Sequence, residues 1–417
     1  MSKSEEKSIP KAFQALTQKQ FRRFYTGSLA SQLGFWFSHI SYQALMADLT
    51  DDELWVSMLF VVTFAPVLLI GPFGGLLADR LDRKKLLLWT YTALIAVSII
   101  QVTLVVADLI SPSLLLVTSF IVGLVMAVLG PVVQAVTANT VPIEYLPSAL
   151  SLQAMASNAS RVLGPAVAAP LVRNGLFEIS WSLYGVCAGL ALIAAAGITL
   201  FPYHPDQDVV PIRQRLFDGV AHAREKRPAS DALILVGIMS VFGVSHVALS
   251  PAFTSDALSR PSSDFAWLGT ATGFGALIGA LLAGSFTHKA TLFRGASLAI
   301  PYCLMLGIFS RVTDFTVAIL VQVIVGFFYI SSFTTLQVVI QEVVGENFRG
   351  RVMSLFQIAW AGLVPIGSLT MGILASDTGF GLGSANTIGI TSLICLIYVG
   401  WVTIRELFRK TATSTLH

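Results

Sequence analysis

The chain has 417 residues, 55% of them hydrophobic and 12% charged, with a formal net charge of +3 and a mean hydropathy of +0.76. An ordinary soluble domain carries about 25% charged residues, so composition argues against a water-soluble enzyme of this size and excludes intrinsic disorder. No basic block is dense enough to bind nucleic acid.

Residues 1–23 are polar and rich in Lys and Arg, with no small-residue cleavage site behind them, which reads as a cytoplasmic tail and not a cleaved leader. A helix needs about 20 apolar residues to cross a bilayer core. Twelve such stretches are predicted. The first six are 24–47, 54–78, 86–107, 113–140, 146–172 and 179–200; the second six are 232–252, 265–286, 294–310, 315–341, 352–375 and 384–404. They define an N-terminal bundle (24–201) and a C-terminal bundle (232–405), followed by a tail (406–417). The linker 202–231 opens on Pro202 and Pro205, and 212–227 reads as a short basic amphipathic helix for the membrane surface. With the N-terminus inside, 22 of the 26 Lys and Arg fall on inside segments; Arg173, Arg260 and Arg311 fall outside, and only Arg161 lies within a span. That bias implies an even number of spans with both termini cytoplasmic, in a bacterial-type inner membrane. The expected fold is an all-α membrane protein of two six-helix bundles.

The halves repeat. An offset of 203 aligns Ile121-Val122-Gly123 with Ile324-Val325-Gly326, Gln134 with Gln337, Ala156 with Ala359 and Gly164 with Gly367. Near offset 207, Ser38-His39 in the first span matches Ser245-His246 in the seventh. Halves repeating six spans apart place a substrate site at their interface, near the bilayer midplane.

An ionisable residue inside a span is costly, hence a functional candidate. No Asp or Glu lies mid-span; the interior candidates are His39, Arg161 and His246. Ser28, Gln32, Phe35, His39 and Gln43 share one helical face, with Tyr42 beside them. Imidazole titrates near neutrality, so His39, and His246 at the matched place, are proton-coupling candidates. Substrate contact and plain interhelical hydrogen bonding are the alternatives for His39. Arg161 stays charged; it could attract an anionic substrate group, with Asn158 one turn earlier as a neighbour, or simply brace its helix. Gln134 and Gln337 could line two walls of one cavity or bond neighbouring helices. Phe35, Trp36, Tyr329, Phe356 and Trp360 are candidate aromatic walls. Cys187, Cys303 and Cys395 lack metal or disulfide spacing and read as packing residues. No phosphate-binding loop or HExxH or GxSxG motif is present, so neither ATP drive nor a familiar catalytic site is expected, and no cofactor or metal.

Gly75-Leu76-Leu77-Ala78-Asp79-Arg80-Leu81-Asp82-Arg83-Lys84-Lys85 between spans two and three resembles the loop signature of the major facilitator transporters, with Asp82 where Gly is usual. Phe21-Arg22-Arg23-Phe24, Ala159-Ser160-Arg161-Val162-Leu163-Gly164-Pro165 and Arg349-Gly350-Arg351-Val352-Met353-Ser354 are similar to the branch holding the enterobactin exporter and macrolide efflux proteins. The resemblance implies a latch between halves in which Asp79, with Gly75, Arg80 and Arg83, receives the start of span eleven near Arg349 and Arg351. The alternative is a positive-inside anchor. Gly164-Pro165 resembles the antiporter motif of span five, with Ala168 and Ala169 replacing its later glycines. The Arg that many proton-coupled relatives carry in span four is absent from 113–140, and Arg161 is the candidate to replace it. The resemblance implies secondary transport by alternating access: proton-coupled export of a small organic molecule, a siderophore or an amphiphilic drug, by a monomer in the bilayer. An importer, a lysolipid transporter and a non-transporting receptor are the other readings.

Overall fold

The computed structural model describes residues 11–201, 212–287 and 290–414. The first half comprises α1 (Lys19–Leu49), α2 (Glu53–Arg80), α3 (Arg83–Val106), α4 (Pro112–Ala138), α5 (Leu146–Arg173) and α6 (Phe177–Ala196). The linker helix α7 (Ile212–Glu225) leads into the second half: α8 (Arg227–Phe242), α9 (Ser250–Asp256), α10 (Phe265–Thr287), α11 (Leu292–Phe309), α12 (Phe315–Val343), α13 (Glu346–Gln357), α14 (Val364–Ala375) and α15 (Gly383–Ser414). These make twelve crossings, since α8 with α9 forms one broken span and α13 with α14 another.

Among the described residues, ten helical segments are both long and apolar enough to cross a membrane. The other two crossings, α1 and α5, have 31 and 28 residues but are more polar. They carry the Gln32–His39 stripe and Arg161. Large side chains such as Leu69, Trp89, Ile193, Leu281 and Ile397 point outward from the bundle. Such an exterior suits lipid, and the chain is an integral membrane protein.

Lipid tails are as apolar as leucine, so helices in a membrane associate through close packing more than through burial of apolar surface. Glycines provide it here, at matched places in both halves. A Cβ at Gly123 of α4 would strike the Thr63 carbonyl of α2, and one at Gly326 of α12 would strike the Thr272 carbonyl of α10. Gly164 of α5 lies against Trp36 of α1, and Gly367 of α14 against Ser245. The 203-residue offset therefore marks equivalent helix crossings. Gly326→Leu is expected to cost about 3 kcal/mol or more through overpacking. Gly130→Leu, where nothing stands within 4 Å, is expected to stay within about 0.5 kcal/mol. Thermal unfolding of the purified variants in detergent measures both.

Helix starts follow the sequence. Asp52, Asp82, Thr291 and Asp314 accept backbone N–H bonds at the N-termini of α2, α3, α11 and α12. Asp82, the departure from the usual loop signature, thus has a local reason: it caps α3 through Lys85 N at 3.0 Å.

Two predicted spans differ from single helices. Span seven breaks at Gly243 into α8, a 3-10 turn (Val244–Leu249) and α9. Span eleven is interrupted by a π turn (Ile358–Gly362) between α13 and α14. Pro365 follows that turn and has no N–H to offer the carbonyl one turn back, so the α-helical ladder cannot run through. The linker helix α7 packs on α13: Asp218 bonds Arg351 at 2.9 Å and His222 stacks on Phe348 at 4.2 Å. This contact occupies one side of the helix that its amphipathic pattern assigns to the membrane surface. In the first half the 3-10 helix Lys11–Thr17 meets α5 in the same way, with Ala15 N donating to Ser148 Oγ at 3.0 Å. Ser148 is the 203-offset match of Arg351.

Candidate functional site between the two halves

Arg161 sits where the halves meet. The absence of a side chain at Gly164 lets α1 approach α5 at Trp36, and Arg161 lies one turn before that crossing. Its guanidinium carbon stands 5.1 Å from the centre of the Trp36 ring and 4.8 Å from that of Trp360, in the π turn of the other half. Trp360 is held in place: its Nε1 donates to the Tyr329 hydroxyl at 2.7 Å, and Phe333 and Phe356 pack at its sides. Each such cation–π contact is worth about 0.5–2 kcal/mol, depending on desolvation. Neither ring supplies a hydrogen-bond acceptor. Among the described residues the guanidinium has no hydrogen bond and no carboxylate, and its Nε is buried without a partner. Asn158 is not its neighbour in bonding. The amide donates to the Ala154 carbonyl four residues earlier in its own helix and is exposed.

The matched histidines differ. His246 is tied on both nitrogens: Nδ1 lies 2.7 Å from the Gly243 carbonyl, which also accepts the His246 backbone N–H in the 3-10 turn, and Nε2 lies 3.4 Å from the Gln322 amide. A carbonyl can only accept, so Nδ1 donates and Nε2 accepts. Gln322 Oε1 in turn accepts from Thr272 at 2.9 Å. In the first half the α2–α4 bond is Thr63 to Ser119 at 2.6 Å. Ser119 occupies the position matching Gln322 and is too short to reach a histidine. His39 is instead ringed by Phe35, Phe60, Phe64 and Trp36, at ring-centre distances of 5.9, 5.0, 5.4 and 6.3 Å. It faces a small internal cavity lined also by Ser38, Tyr42, Thr63, Ser119 and Val122. His39 Nε2 and Ser38 Oγ are buried there without partners.

The other polar candidates divide. Gln32 donates to Ser28 and Gln153, so it joins α1 to α5. Gln43 is buried, and Tyr42 turns inward on Trp181 of α6, with ring centres 5.3 Å apart. The contacts of the predicted stripe therefore lie within the first half, Gln32 toward α5, His39 toward α2 and Tyr42 toward α6. Gln134 is exposed and Gln337 half-buried, and neither bonds a neighbouring helix among the described residues.

The two ends of the bundle are unlike. At the end that holds residues 11–20 and the linker helix, several bonds among the described residues stay within a half: Arg23 to the Gly197 carbonyl, Lys84 to the Ile198 carbonyl, Arg83 to Asn139 and Arg405 to Asp231. At the far end polar links join the halves. Ser262 donates to Asp48 at 3.0 Å and Thr378 to Asp52 at 3.1 Å. Asp264, fully buried, is held by Arg260 at 2.9 Å and stands 3.8 Å from Arg173 of α5. Gly372 meets Ser57 and Gly269 meets Pro165 in the same region. Asp264 lies just outside the predicted span eight, so an inventory of charges within spans passes over it.

The profile of the transmembrane secretion effectors, a major facilitator family, matches residues 10–414. The chain belongs to that family. It is 22% identical to the staphyloferrin A transporter of Staphylococcus aureus, over 94% of this chain and 98% of that one. It is 27% identical to macrolide efflux protein A of Streptococcus pyogenes, over 86% and 90%. Its fold is similar to that of a bacterial homolog of the human lysosomal transporter Spinster in an inward-facing, unoccupied conformation, with a TM-score of 0.69 at 14% identity, covering 92% and 95% of the two chains. A D-xylose-proton symporter matches with a TM-score of 0.65 at 13% identity, over 91% and 96%.

The loop signature of the family is present, but Gly75 and the side chains of Asp79, Arg80 and Arg349 lie outside what the structure describes. The two described members of the expected latch bond elsewhere: Arg83 donates to Asn139 of its own half, and Arg351 pairs with Asp218 of α7. In this conformation neither joins one half to the other through these bonds. Gly164 of the antiporter-like motif serves the α1–α5 crossing, and Pro165 packs on Gly269 across the halves.

Proposed function

We propose that the protein is a proton-coupled exporter of a small organic molecule, in a bacterial inner membrane with both termini cytoplasmic. The carrying observation is Arg161, a cation without an acceptor, shared between an indole of each half. A ligand at that level contacts both halves and can bias their rocking. The basic residues cluster at the end bearing the linker helix, which supports a cytoplasmic location for that end. The far-end links then close the outer side, leaving the site to be loaded from the cytoplasm. Outward opening requires Asp48, Asp52 and Arg173 to part from Ser262, Thr378 and Asp264. His39 is the proposed proton carrier, since its Nε2 lacks the tie that holds His246. The relatives named for staphyloferrin A transport and macrolide efflux support a small organic cargo.

Inside-out vesicles test this reading, with a panel of fluorescent amphiphiles and siderophores. Accumulation in energised vesicles that collapses with a protonophore is expected. Accumulation unaffected by protonophore refutes proton coupling, and uptake seen only in right-side-out vesicles refutes export.

A further inference from the structure

Arg161 brings five N–H donors into the membrane interior, and no described residue accepts from them. Trp36 and Trp360 attract the charge without satisfying its hydrogen bonds. Arg161 is half-buried with its Nε buried and unpartnered, so its donors are only partly met until an anion pairs with them. We infer that the cargo is an amphiphilic monoanion: one carboxylate on an otherwise apolar or aromatic body. This rests on the transport reading only in calling the ligand cargo; the anion site stands on the geometry alone.

The chemistry narrows the class from three directions. A carboxylate matches the planar donor fork of a guanidinium, and such charge-assisted pairs are among the strongest hydrogen bonds. Among the described residues the site offers one permanent cation, His39 being charged only while it carries a proton. His246 is tied to Gly243 and Gln322, Arg173 and Arg260 face Asp264, and Arg83, Lys84, Arg351 and Arg405 are bonded at the other end. A polyanion would leave its further charges unpaired. An amine would meet Arg161 and find no mid-span carboxylate in the sequence. The surroundings, Phe333, Phe356, Trp36 and Trp360, suit an apolar body.

Three probes with one aromatic body separate the charges: 2-naphthylacetate, 2-naphthylacetamide and 2-(2-naphthyl)ethylamine. Thermal stabilisation of the purified protein at neutral pH gives their relative affinities. The acetate is expected to half-saturate at about a tenfold lower concentration than the amide, or lower still, with the amine weakest. Arg161→Gln should erase that order, and Arg161→Lys should keep part of it. The wild-type comparison stands even if a variant fails to fold. Equal effects of the three, preference for the amine, or no effect of any probe on a protein that still unfolds cooperatively overturns the inference. Proteoliposome flux of the same probes separates the two readings. Movement of all three without preference sinks the anion assignment and leaves transport standing. An acetate that binds through Arg161 and is never moved sinks transport and leaves the anion site.

Discussion

An Asp48→Cys, Ser262→Cys variant, in a background with Cys187, Cys303 and Cys395 replaced, is expected to lose transport on oxidation and recover it on reduction. Asp48 Oδ1 and Ser262 Oγ are 3.0 Å apart, on the last turn of α1 and the 3-10 turn before α10. A bond between them ties the halves where alternating access requires separation. Flux should fall to that of protein-free vesicles, because a covalent tie removes the outward-facing state from the ensemble, whereas a weakened contact only shifts a population. The neighbouring charges add to this closure. Asp264 is fully buried, and Arg173, the partner that departs on opening, is the cation nearest Oδ1, which accepts no hydrogen bond. Removing one partner from a buried charge pair typically costs about 3–5 kcal/mol. Opening moves the pair apart into a widening, wetter cleft, so the cost should be smaller there. Alkylation of free thiols and mass measurement establish the extent of cross-linking. Fully cross-linked protein that still transports at the reduced rate would show that the far end need not open.

The second large effect is expected at His39. His39→Gln should keep downhill flux and lose proton-driven accumulation, by about tenfold or more at steady state. His246→Gln should affect stability and not coupling. It removes the bond to the Gly243 carbonyl, costs about 1–3 kcal/mol of stability, and leaves accumulation coupled. The repeat supplies a sharper variant. Ser119→Gln gives the first half the amide that ties His246 in the second, at a position that lines the gap beside His39. If the free Nε2 is what carries the proton, this substitution uncouples transport with the histidine still present. Measuring accumulation ratio and downhill rate in the same proteoliposomes separates coupling from simple loss of activity. Full protonophore-sensitive accumulation in His39→Gln rules His39 out as the carrier.

Much of this protein is legible in one dimension because the membrane is a demanding solvent. Apolar runs must match its thickness, and basic residues must stay on one side, so span number, grouping and expected orientation follow from hydropathy and charge. The offsets of 203 and 207 point to equivalent residues, and the structure puts Gly123 with Gly326, Gly164 with Gly367 and Ser119 with Gln322 at equivalent crossings. Arg161 stands out by rarity alone. Other features depend on partners far away in the chain. The sequence contains Trp36, Arg161 and Trp360, but only the crossing at Gly164 and the π turn before Pro365 bring their rings and charge within about 5 Å. Asn158 shows the converse: spacing places it one turn from Arg161, and its own helix takes its hydrogen bond. Hydropathy also cannot show that span seven breaks at Gly243, because a broken span and a straight one have the same mean apolarity. Nor can it tell a tied histidine from a free one, since that depends on whether the residue facing it is Gln322 or the shorter Ser119. Solvent matching and internal repetition are written along the chain. Hydrogen-bond satisfaction and the junction between halves were decided by helix packing, because they depend on which atoms come within a few ångströms of one another.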